Sequence, residues 1–138
     1  MFVGFHERQL DDKGRLALPS AFRADFGDAC YLAYGEERCI DVFPRDAFED
    51  MANELMRQVR AKEISLARQR AFAHSATLLT LDKQGRVTLD ERLRAYAHLT
   101  PSSKAIVSGN LDRAEVWSAD LYEQIAAAGR GEIAGGRE

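Results

Sequence analysis

The chain contains the run Leu10-Asp11-Asp12-Lys13-Gly14-Arg15 and repeats it, 71 residues later, as Leu81-Asp82-Lys83-Gln84-Gly85-Arg86. Between residues 10–23 and 81–94, six of fourteen positions are identical. After a slip of three residues the register resumes, and Gly35 matches Gly109. A repeat of this kind sets the architecture of a chain, so two units of roughly 45 residues are expected to fill most of the sequence. Each unit carries the same polar turn, Asp-x-x-Gly-Arg.

Length and composition limit the class of protein. A chain of 138 residues is long enough for one compact domain. Each half alone is close to the lower size limit, so the two units are expected to share a core. No apolar run approaches the ~20 residues that span a bilayer, and the first residues do not resemble a signal peptide. The sequence therefore predicts a cytoplasmic protein without a membrane segment. Cys30 and Cys39 fit no metal or redox spacing and are expected to be reduced.

The charge is unevenly distributed along the chain. The net charge of −3 at first argues against a nucleic-acid partner. Residues 25–54 sum to −7, whereas residues 55–70 sum to +4. Fifteen of the nineteen basic residues are arginine, whose planar fork suits phosphates and guanine edges. Genome base composition can produce the same bias, so charge alone does not decide between partners.

Turn and periodicity signals predict a hairpin, a short helix and a second hairpin in each unit. Gly14 and Gly85 supply the positive φ that a tight hairpin loop needs. Pro19 is expected at the first position of the first short helix, and Ser118 is expected to cap a helix through Ile125. The first hairpins are predicted at 5–10 with 15–18 and at 77–81 with 86–89. The second hairpins are predicted at 30–34 with 39–43 and at 105–108 with 114–117.

The organisation along the chain follows from these elements. The first unit is predicted at 1–50, a helical connection at 51–75 and the second unit at 76–123. Residues 129–138 contain four glycines and are expected to form a disordered tail. Five basic residues lie within this connection, namely Arg57, Arg60, Lys62, Arg68 and Arg70. A solvated helical face explains them better than phosphate contacts do, although the sequence leaves both interpretations open.

The repeated turn is the main candidate site. Asp11 and Arg15 lie four residues apart across a glycine turn, as do Asp82 and Arg86. A carboxylate in such a turn bonds nearby backbone amides, and the arginine then projects from the tip. A turn needs aspartate and glycine, but it does not need an arginine in the same place twice. Lysines add cations to both loops, at Lys13 and Lys83. The two loops are therefore a candidate polyanion-binding surface.

An enzymatic interpretation is disfavoured. Two aspartates related by a repeat suggest an aspartic protease dyad, which needs one carboxyl with a raised pKa. Here each aspartate has an arginine nearby, which lowers the pKa instead. The three histidines have no zinc-site spacing, and no nucleophile elbow or glycine-rich phosphate loop is present. We predict no catalytic residue, no cofactor and no metal.

Several stretches together point to a family. They are Met1-Phe2-Val3-Gly4, Leu-Asp-x-Lys-Gly-Arg-Leu-x-Leu-Pro at 10–19, Leu-Asp-x-x-Gly-Arg at 81–86, and Val-x-Gly-x-x-x-x-x-Glu-Val-Trp at 107–117. The chain resembles the MraZ family of bacterial transcriptional regulators over about residues 1–125. The resemblance implies an α+β fold, a double-split β-α-β barrel in which two AbrB-like units form a swapped-hairpin pseudo-dimer with flanking helices.

The resemblance also implies a function. Members of the family form closed homo-oligomeric rings and bind short, G-rich direct repeats in double-stranded DNA upstream of their own operon, in the division and cell-wall gene cluster, usually as repressors. Such a protein would be cytoplasmic and nucleoid-associated. Carried onto this chain, Arg15 and Arg86 are the expected DNA contacts, with Lys13 and Lys83 assisting from the loops. The expected loop-shaping residues are Asp11, Gly14, Asp82 and Gly85.

Two other interpretations remain open. The chain could be an AbrB-like module whose partner is a protein, as in antitoxins that mask a toxin with a flexible tail. The glycine-rich tail offers only Ile133 as a large apolar anchor, which weighs against this. A ring with a purely structural role is the third possibility.

Overall fold

The computed structural model describes residues 1–136, which form eight β-strands, five α-helices and one 3-10 helix. In the first unit the elements are β1 (Phe5–Gln9), β2 (Arg15–Ala17), α1 (Ser20–Phe26), β3 (Ala29–Tyr34), the 3-10 helix (Glu36–Arg38), β4 (Ile40–Phe43) and α2 (Arg45–Arg60). They continue with α3 (Leu66–Ser75), β5 (Thr77–Thr80), β6 (Arg86–Thr88), α4 (Glu91–Tyr96), β7 (Lys104–Gly109), β8 (Ala114–Ser118) and α5 (Ala119–Ile133). The chain is thus α+β, as the sequence predicted.

Polar side chains start three of the helices. Ser65, Asp90 and Ser118 each accept a hydrogen bond from a backbone amide in the first turn of α3, α4 and α5. Ser118 is therefore the predicted N-cap. The prediction for Pro19 was off by one position. This residue has an extended backbone (φ −57°, ψ 139°) and precedes the helix, which begins at Ser20.

The strands form one six-stranded sheet and one two-stranded ribbon. The sheet has the order β1-β7-β8-β4-β3-β5, and β2 pairs with β6 in the ribbon. Every pairing is antiparallel. The strands β1, β3 and β4 of the first unit correspond to β5, β7 and β8 of the second. Exchanging each strand for its counterpart gives the same strand order in reverse, so the units are related by an approximate two-fold axis. The second hairpins, β3 with β4 and β7 with β8, are confirmed.

The first hairpins were predicted wrongly. The Asp11 amide bonds the Arg15 carbonyl at 3.0 Å and closes the loop, but beyond the loop the two strands separate. The strand β1 pairs with β7, β5 pairs with β3, and β2 pairs with β6. The reason is burial: Leu16 opposes Val87 in the ribbon, and both side chains are buried. A local hairpin would leave these partners apart.

The two units share one hydrophobic core, as expected from their size. Leu16, Leu18 and Phe22 of the first unit pack in the same cluster as residues of the second unit. The contributions of the second unit include Val87, Leu89, Leu93, Val107 and Val116. The cysteines Cys30 and Cys39 are free and buried. Because each unit completes the core of the other, neither is expected to be stable alone.

Two helices, α2 and α3, lie between the units. They pack on the sheet through stacked aromatic rings, with ring centroids of Phe48 and Phe72 5.6 Å apart and those of Tyr31 and Phe48 4.0 Å apart. The first of these helices begins at Arg45, before the predicted connection at 51–75. Within residues 1–136 no helix is both long and apolar enough to cross a membrane.

The prediction of a disordered tail is wrong for part of residues 129–138. The last helix, α5, does not stop near Ile125 but continues through Ile133. Alanine has the highest helix propensity of any residue type. The run Ala126-Ala127-Ala128 therefore favours continuation of the helix through Gly129 and Gly131. Gly135 and Gly136 have positive φ and follow its end. Residues 137–138 lie outside the described residues.

A polar cluster lies where the units meet in the sheet. Asp41 of β4 pairs in register with Glu115 of β8, and the Cys39 thiol and both carboxylates lie within 4.8 Å of one another. The Arg113 guanidinium is 3.4 Å from Asp41. Burial raises the pKa of Asp41 to about 7, with Arg113 opposing this shift and Glu115 adding to it. Burial also raises the pKa of the Cys39 thiol. The cluster is therefore a buried point of pH sensitivity.

Asp41 should make the stability of the fold depend on pH. Its pKa is about 7 in the folded chain and 3.8 ordinarily, so the folded state holds the proton more tightly. The resulting stabilisation is complete below pH 3.8 and is lost as the pH rises through about 7. We expect Asp41→Asn to remove this dependence. Measured by urea unfolding, the free energy of unfolding of the variant should therefore rise relative to that of the parent between pH 5 and pH 8. The control is Asp112→Asn, which removes an exposed acid that also contacts Arg113. Parallel curves for the parent and Asp41→Asn would contradict the assignment.

Candidate nucleic-acid interface

The loop after β1 is organised by the carboxylate of Asp11. Its Oδ1 accepts hydrogen bonds from the backbone amides of Lys13 at 2.9 Å and Arg15 at 2.8 Å. Its Oδ2 accepts from Nε of Arg15 at 2.5 Å. The Gly14 amide donates to the Asp11 carbonyl at 3.1 Å. One side chain therefore fixes both the loop backbone and the arginine that follows it.

The loop after β5 repeats this geometry. Oδ1 of Asp82 accepts from the amides of Gln84 and Arg86, both at 2.9 Å. Its Oδ2 accepts from Nε of Arg86 at 2.8 Å. The Gly85 amide donates to the Asp82 carbonyl at 2.9 Å. Both aspartates thus accept hydrogen bonds from the backbone of their own loop.

The electrostatics of these aspartates differ from those of a catalytic dyad. The backbone amide of Arg15 has the largest effect in lowering the pKa of Asp11, and its side chain adds to it. The amide and side chain of Arg86 do the same for the pKa of Asp82. A dyad that shares a proton requires one raised pKa. Both carboxyls instead stay ionised and paired.

The β2–β6 ribbon places both loop arginines on one face. Alternate residues of a strand point to opposite sides, and Leu16 and Val87 are buried on the inner side. Arg15 and Arg86 therefore lie on the outer side, from strands of different units. Nη1 of Arg86 is 3.9 Å from Oδ2 of Asp11, so the two loops are neighbours.

Each loop is also bonded to the other unit. The Leu18 amide donates to the Gly85 carbonyl at 3.0 Å, and the Leu89 amide donates to the Gly14 carbonyl at 2.9 Å. Both glycines have the positive φ that the sequence predicted, 77° at Gly14 and 72° at Gly85. This conformation costs other residues about 1–2 kcal/mol. The loops are consequently anchored at two points and held at a fixed spacing.

The loop lysines occupy different positions in the two loops. Lys13 and Lys83 are exposed, and neither forms an ion pair with another residue of the described part of the chain. Lys13 directly precedes Gly14, whereas Lys83 is two residues before Gly85 and Gln84 follows it. The candidate site residues are thus all on these two loops, but the loops carry their lysines unequally.

Two of the five basic residues in the 57–70 run, Arg57 and Arg68, are paired with acids. Nε of Arg57 is 2.8 Å from Glu54 and its Nη2 is 3.1 Å from Glu63. Arg68 forms an ion pair with Glu36. These contacts favour a charge-balanced helical surface at Arg57 and Arg68, whereas Arg60, Lys62 and Arg70 form no ion pair within residues 1–136.

A cavity of about 880 Å³ lies between this helical region and the sheet. Five acidic residues, Glu36, Glu37, Asp41, Glu54 and Glu115, line it together with only two cations, Arg68 and Arg113. An anionic polymer would be repelled there, so the loop face is the better candidate for a polyanion.

Two arginines outside the predicted site contact the loops. Nε of Arg23 donates to the Leu18 carbonyl at 2.9 Å, and Nε of Arg94 donates to the Leu89 carbonyl at 3.0 Å. Their identity in the repeat alignment was the available signal. Nothing in that alignment indicated that they would lie against the glycines of the loops.

Comparison with known proteins places the chain in a family. A family model described as "MraZ protein, putative antitoxin-like" matches residues 1–69 and 72–131. A protein of Salinispora tropica named transcriptional regulator MraZ is 39% identical over 134 residues, which cover 97% of this chain and 93% of the relative. Proteins with the same name occur in Cutibacterium acnes, 36% identical over 93% of this chain and 89% of the relative, and in Paenarthrobacter aurescens, 39% identical over 90% of this chain and 85% of the relative.

The fold and the site define a duplicated α+β protein with two matched arginine loops. The chain belongs to the MraZ family, as its sequence motifs predicted. These relatives are all named as transcriptional regulators, which is not an enzyme class.

The two functions of the Asp82 carboxylate can be separated by substitution. In Asp82→Asn the amide oxygen can still accept from the Gln84 and Arg86 amides, but the Arg86 side chain loses its anion. Asp82→Ala loses both contacts. We expect hydrogen exchange of these two amides to accelerate strongly in Asp82→Ala and little in Asp82→Asn. Asp12→Ala is the control, because this exposed acid makes no hydrogen bond within residues 1–136. Equal protection in Asp82→Ala and the parent would show that the carboxylate does not hold the loop.

Gly85→Ala should destabilise the protein more than Gly4→Ala. Both glycines have positive φ, 72° at Gly85 and 78° at Gly4, which should cost each variant about 1–2 kcal/mol of unfolding free energy. A methyl group at Gly85 would clash with Nε of Arg23, whereas at Gly4 it would meet nothing within 4 Å. The extra loss in Gly85→Ala, measured by urea unfolding, reports the Arg23 contact. Equal losses would mean that Arg23 moves aside freely.

Proposed function

We propose that this protein is a sequence-specific DNA-binding transcriptional regulator that contacts double-stranded DNA with its paired Asp-x-x-x-Arg loops. The observation that carries the proposal is the common outer face of the ribbon, which holds Arg15 and Arg86. Nε of each arginine is bound to its own aspartate, and the Nη atoms of both lack a hydrogen bond within residues 1–136. These outer ends can bind phosphate oxygens or the edge of a guanine.

The aspartates act indirectly in this proposal. Asp11 and Asp82 accept hydrogen bonds from their own loop amides and arginine, so their charge is offset within each loop. They orient the guanidinium groups, while Lys13 and Lys83 add mobile charge for phosphate contacts. We assign the sequence-reading role to Arg15 and Arg86, because a planar guanidinium can bind O6 and N7 of guanine together.

The assembly and the fold family belong to the same proposal. We propose a double-split β-α-β barrel of two AbrB-like units, which the cross-unit pairing of β2 with β6 supports. We further propose that copies of the chain form a closed homo-oligomeric ring. A ring would repeat the loop face and bring linked sites to one DNA molecule, and linked sites multiply affinity when their spacing matches the target. This would compensate for a net charge of −3.

The proposed biological role rests on the resemblance to the family. We propose that the target is a set of short, G-rich direct repeats upstream of the protein's own operon in the division and cell-wall gene cluster. Binding there would usually repress transcription and would place the protein in the cytoplasm, at the nucleoid. Identical subunits in an array suit direct repeats better than a palindrome.

Binding should depend on both loop arginines and on salt. We expect Arg15→Ala/Arg86→Ala to abolish the preference for the DNA upstream of the gene, because each bidentate guanine contact contributes about 1–3 kcal/mol. Gel-shift titrations at two salt concentrations, with a scrambled duplex beside the native one, measure this. For the parent the affinity should fall steeply with salt as counterions are released.

The matched control is Arg57→Ala/Arg68→Ala. It removes the same number of charges from residues that are paired with acids, and it should bind like the parent. The proposal fails if the parent shows no preference over scrambled DNA, or if the two double variants lose affinity equally.

An AbrB-like protein-interaction module remains the second candidate, because the description of the matching family includes the term antitoxin-like. In that case a protein partner should co-purify in stoichiometric amount after nuclease treatment. We expect no such partner, and DNA in the untreated sample instead.

A further inference from the structure

Two arginines outside the Asp-x-x-x-Arg motif occupy equivalent positions beside the loops. Arg23 is in α1 and Arg94 is in α4, 71 residues later. Each donates from Nε to a carbonyl five residues earlier in the chain, at Leu18 and at Leu89. The same side chain thus makes the same contact in both units.

Each of these side chains lies over the loop of the opposite unit. A methyl group at Gly85 would be 2.3 Å from Nε and 2.5 Å from Cζ of Arg23. A methyl group at Gly14 would be 3.0 Å from Nε and 3.2 Å from Cζ of Arg94. Both glycines are buried. Arg94 is therefore placed next to the loop that carries Arg15, and Arg23 next to the loop that carries Arg86.

The charged ends of both side chains are available. Arg23 and Arg94 are only half-buried, and each uses Nε alone in a hydrogen bond. Within residues 1–136 neither forms an ion pair with an acidic residue. A guanidinium that is fixed through Nε and free at both Nη atoms presents two parallel donors, which match two oxygens of a phosphate.

We infer that Arg23 and Arg94 are further DNA contacts, so that the interface comprises four arginines in two cross-unit pairs, Arg15 with Arg94 and Arg86 with Arg23. This inference rests on the proposed function and deepens it. The added pair binds backbone phosphates that flank the bases read by Arg15 and Arg86. Because its contacts are to phosphate, it contributes affinity and orientation more than sequence preference.

The alternative is a purely structural role, in which each arginine only covers a glycine and braces a loop. Glutamine separates the two roles, because its Nε2 is the same number of bonds from Cα as Nε of arginine. Arg94→Gln can keep the hydrogen bond to the Leu89 carbonyl while it removes the charged fork. Arg92→Gln is the charge-matched control on the same helix: it removes one exposed guanidinium, whose hydrogen bond runs from Nη1 to the His74 carbonyl and not to a loop.

The experiment is a binding titration with the duplex from upstream of the gene and with its scrambled counterpart, over a range of salt. Arg94→Gln and Arg23→Gln should each weaken binding about tenfold to both duplexes alike. Each should also lower the slope of log affinity against log salt by about 0.9 for every protomer that contacts the duplex, which corresponds to one lost phosphate contact per protomer. Arg92→Gln should leave affinity and slope unchanged, and all three variants should unfold near the parent's midpoint.

Other outcomes overturn the inference in distinguishable ways. Normal binding by Arg94→Gln and Arg23→Gln, with binding lost in Arg15→Ala/Arg86→Ala, would remove the added contacts and leave the proposed function intact. Weaker binding with an unchanged salt slope and a lower unfolding midpoint would establish the structural role. A parent protein without preference over scrambled DNA would overturn the proposed function, and the inference with it.

A second measurement uses the unaltered protein and so does not depend on how the variants fold. The Nε–Hε signals of the arginines can be followed by NMR while the duplex is added. Those of Arg23 and Arg94 should shift together with those of Arg15 and Arg86, and that of Arg92 should not. Unchanged signals at Arg23 and Arg94 would refute the contact.

Discussion

The pairing of β2 with β6 is the interaction on which the rest of the structure depends. Each strand has only three residues, and an isolated two-stranded ribbon is marginally stable in water. This ribbon persists because its inner side chains, Leu16 and Val87, are buried in the core that both units build. The same pairing puts one arginine loop from each unit on the opposite side. Core formation and the spacing of the loops are therefore a single event.

The fold also separates charge within an acidic chain. The two loop carboxylates, Asp11 and Asp82, accept hydrogen bonds from backbone amides and from one arginine each, and Asp11 also lies 3.9 Å from Nη1 of Arg86. Other acids line the cavity beside α2 and α3. The loop face keeps the guanidinium ends and the lysines. A net charge is an average over the whole surface, whereas a bound polyanion responds to the local arrangement of charge within a Debye length.

Local features of the sequence were predictable and non-local ones were not. The glycine positions, the aspartate-shaped loops and the β3–β4 and β7–β8 hairpins follow from short stretches of chain, and all are present. The strands β2 and β6 pair with each other and not with their neighbours in sequence, although they are about 70 residues apart. The residues that form a turn carry no information about such a pairing. The contacts of Arg23 and Arg94 depend on that exchange, so they were missed as well. The extension of α5 depends on alanine propensity that outweighs two glycines.

The polar cluster between β4 and β8 makes the two halves of the chain unequal. Asp41 and Glu115 are equivalent residues of the two units and face each other in register, while Cys39 and Arg113 are equivalent to one another by the same offset of 74. A symmetric dimer of the first unit would bring two aspartates together with no guanidinium beside them. In the fused chain the cation of one unit, Arg113, lies beside the aspartate of the other. The halves are thus complementary and not interchangeable, and a dimer of the first half alone would lack this ion pair.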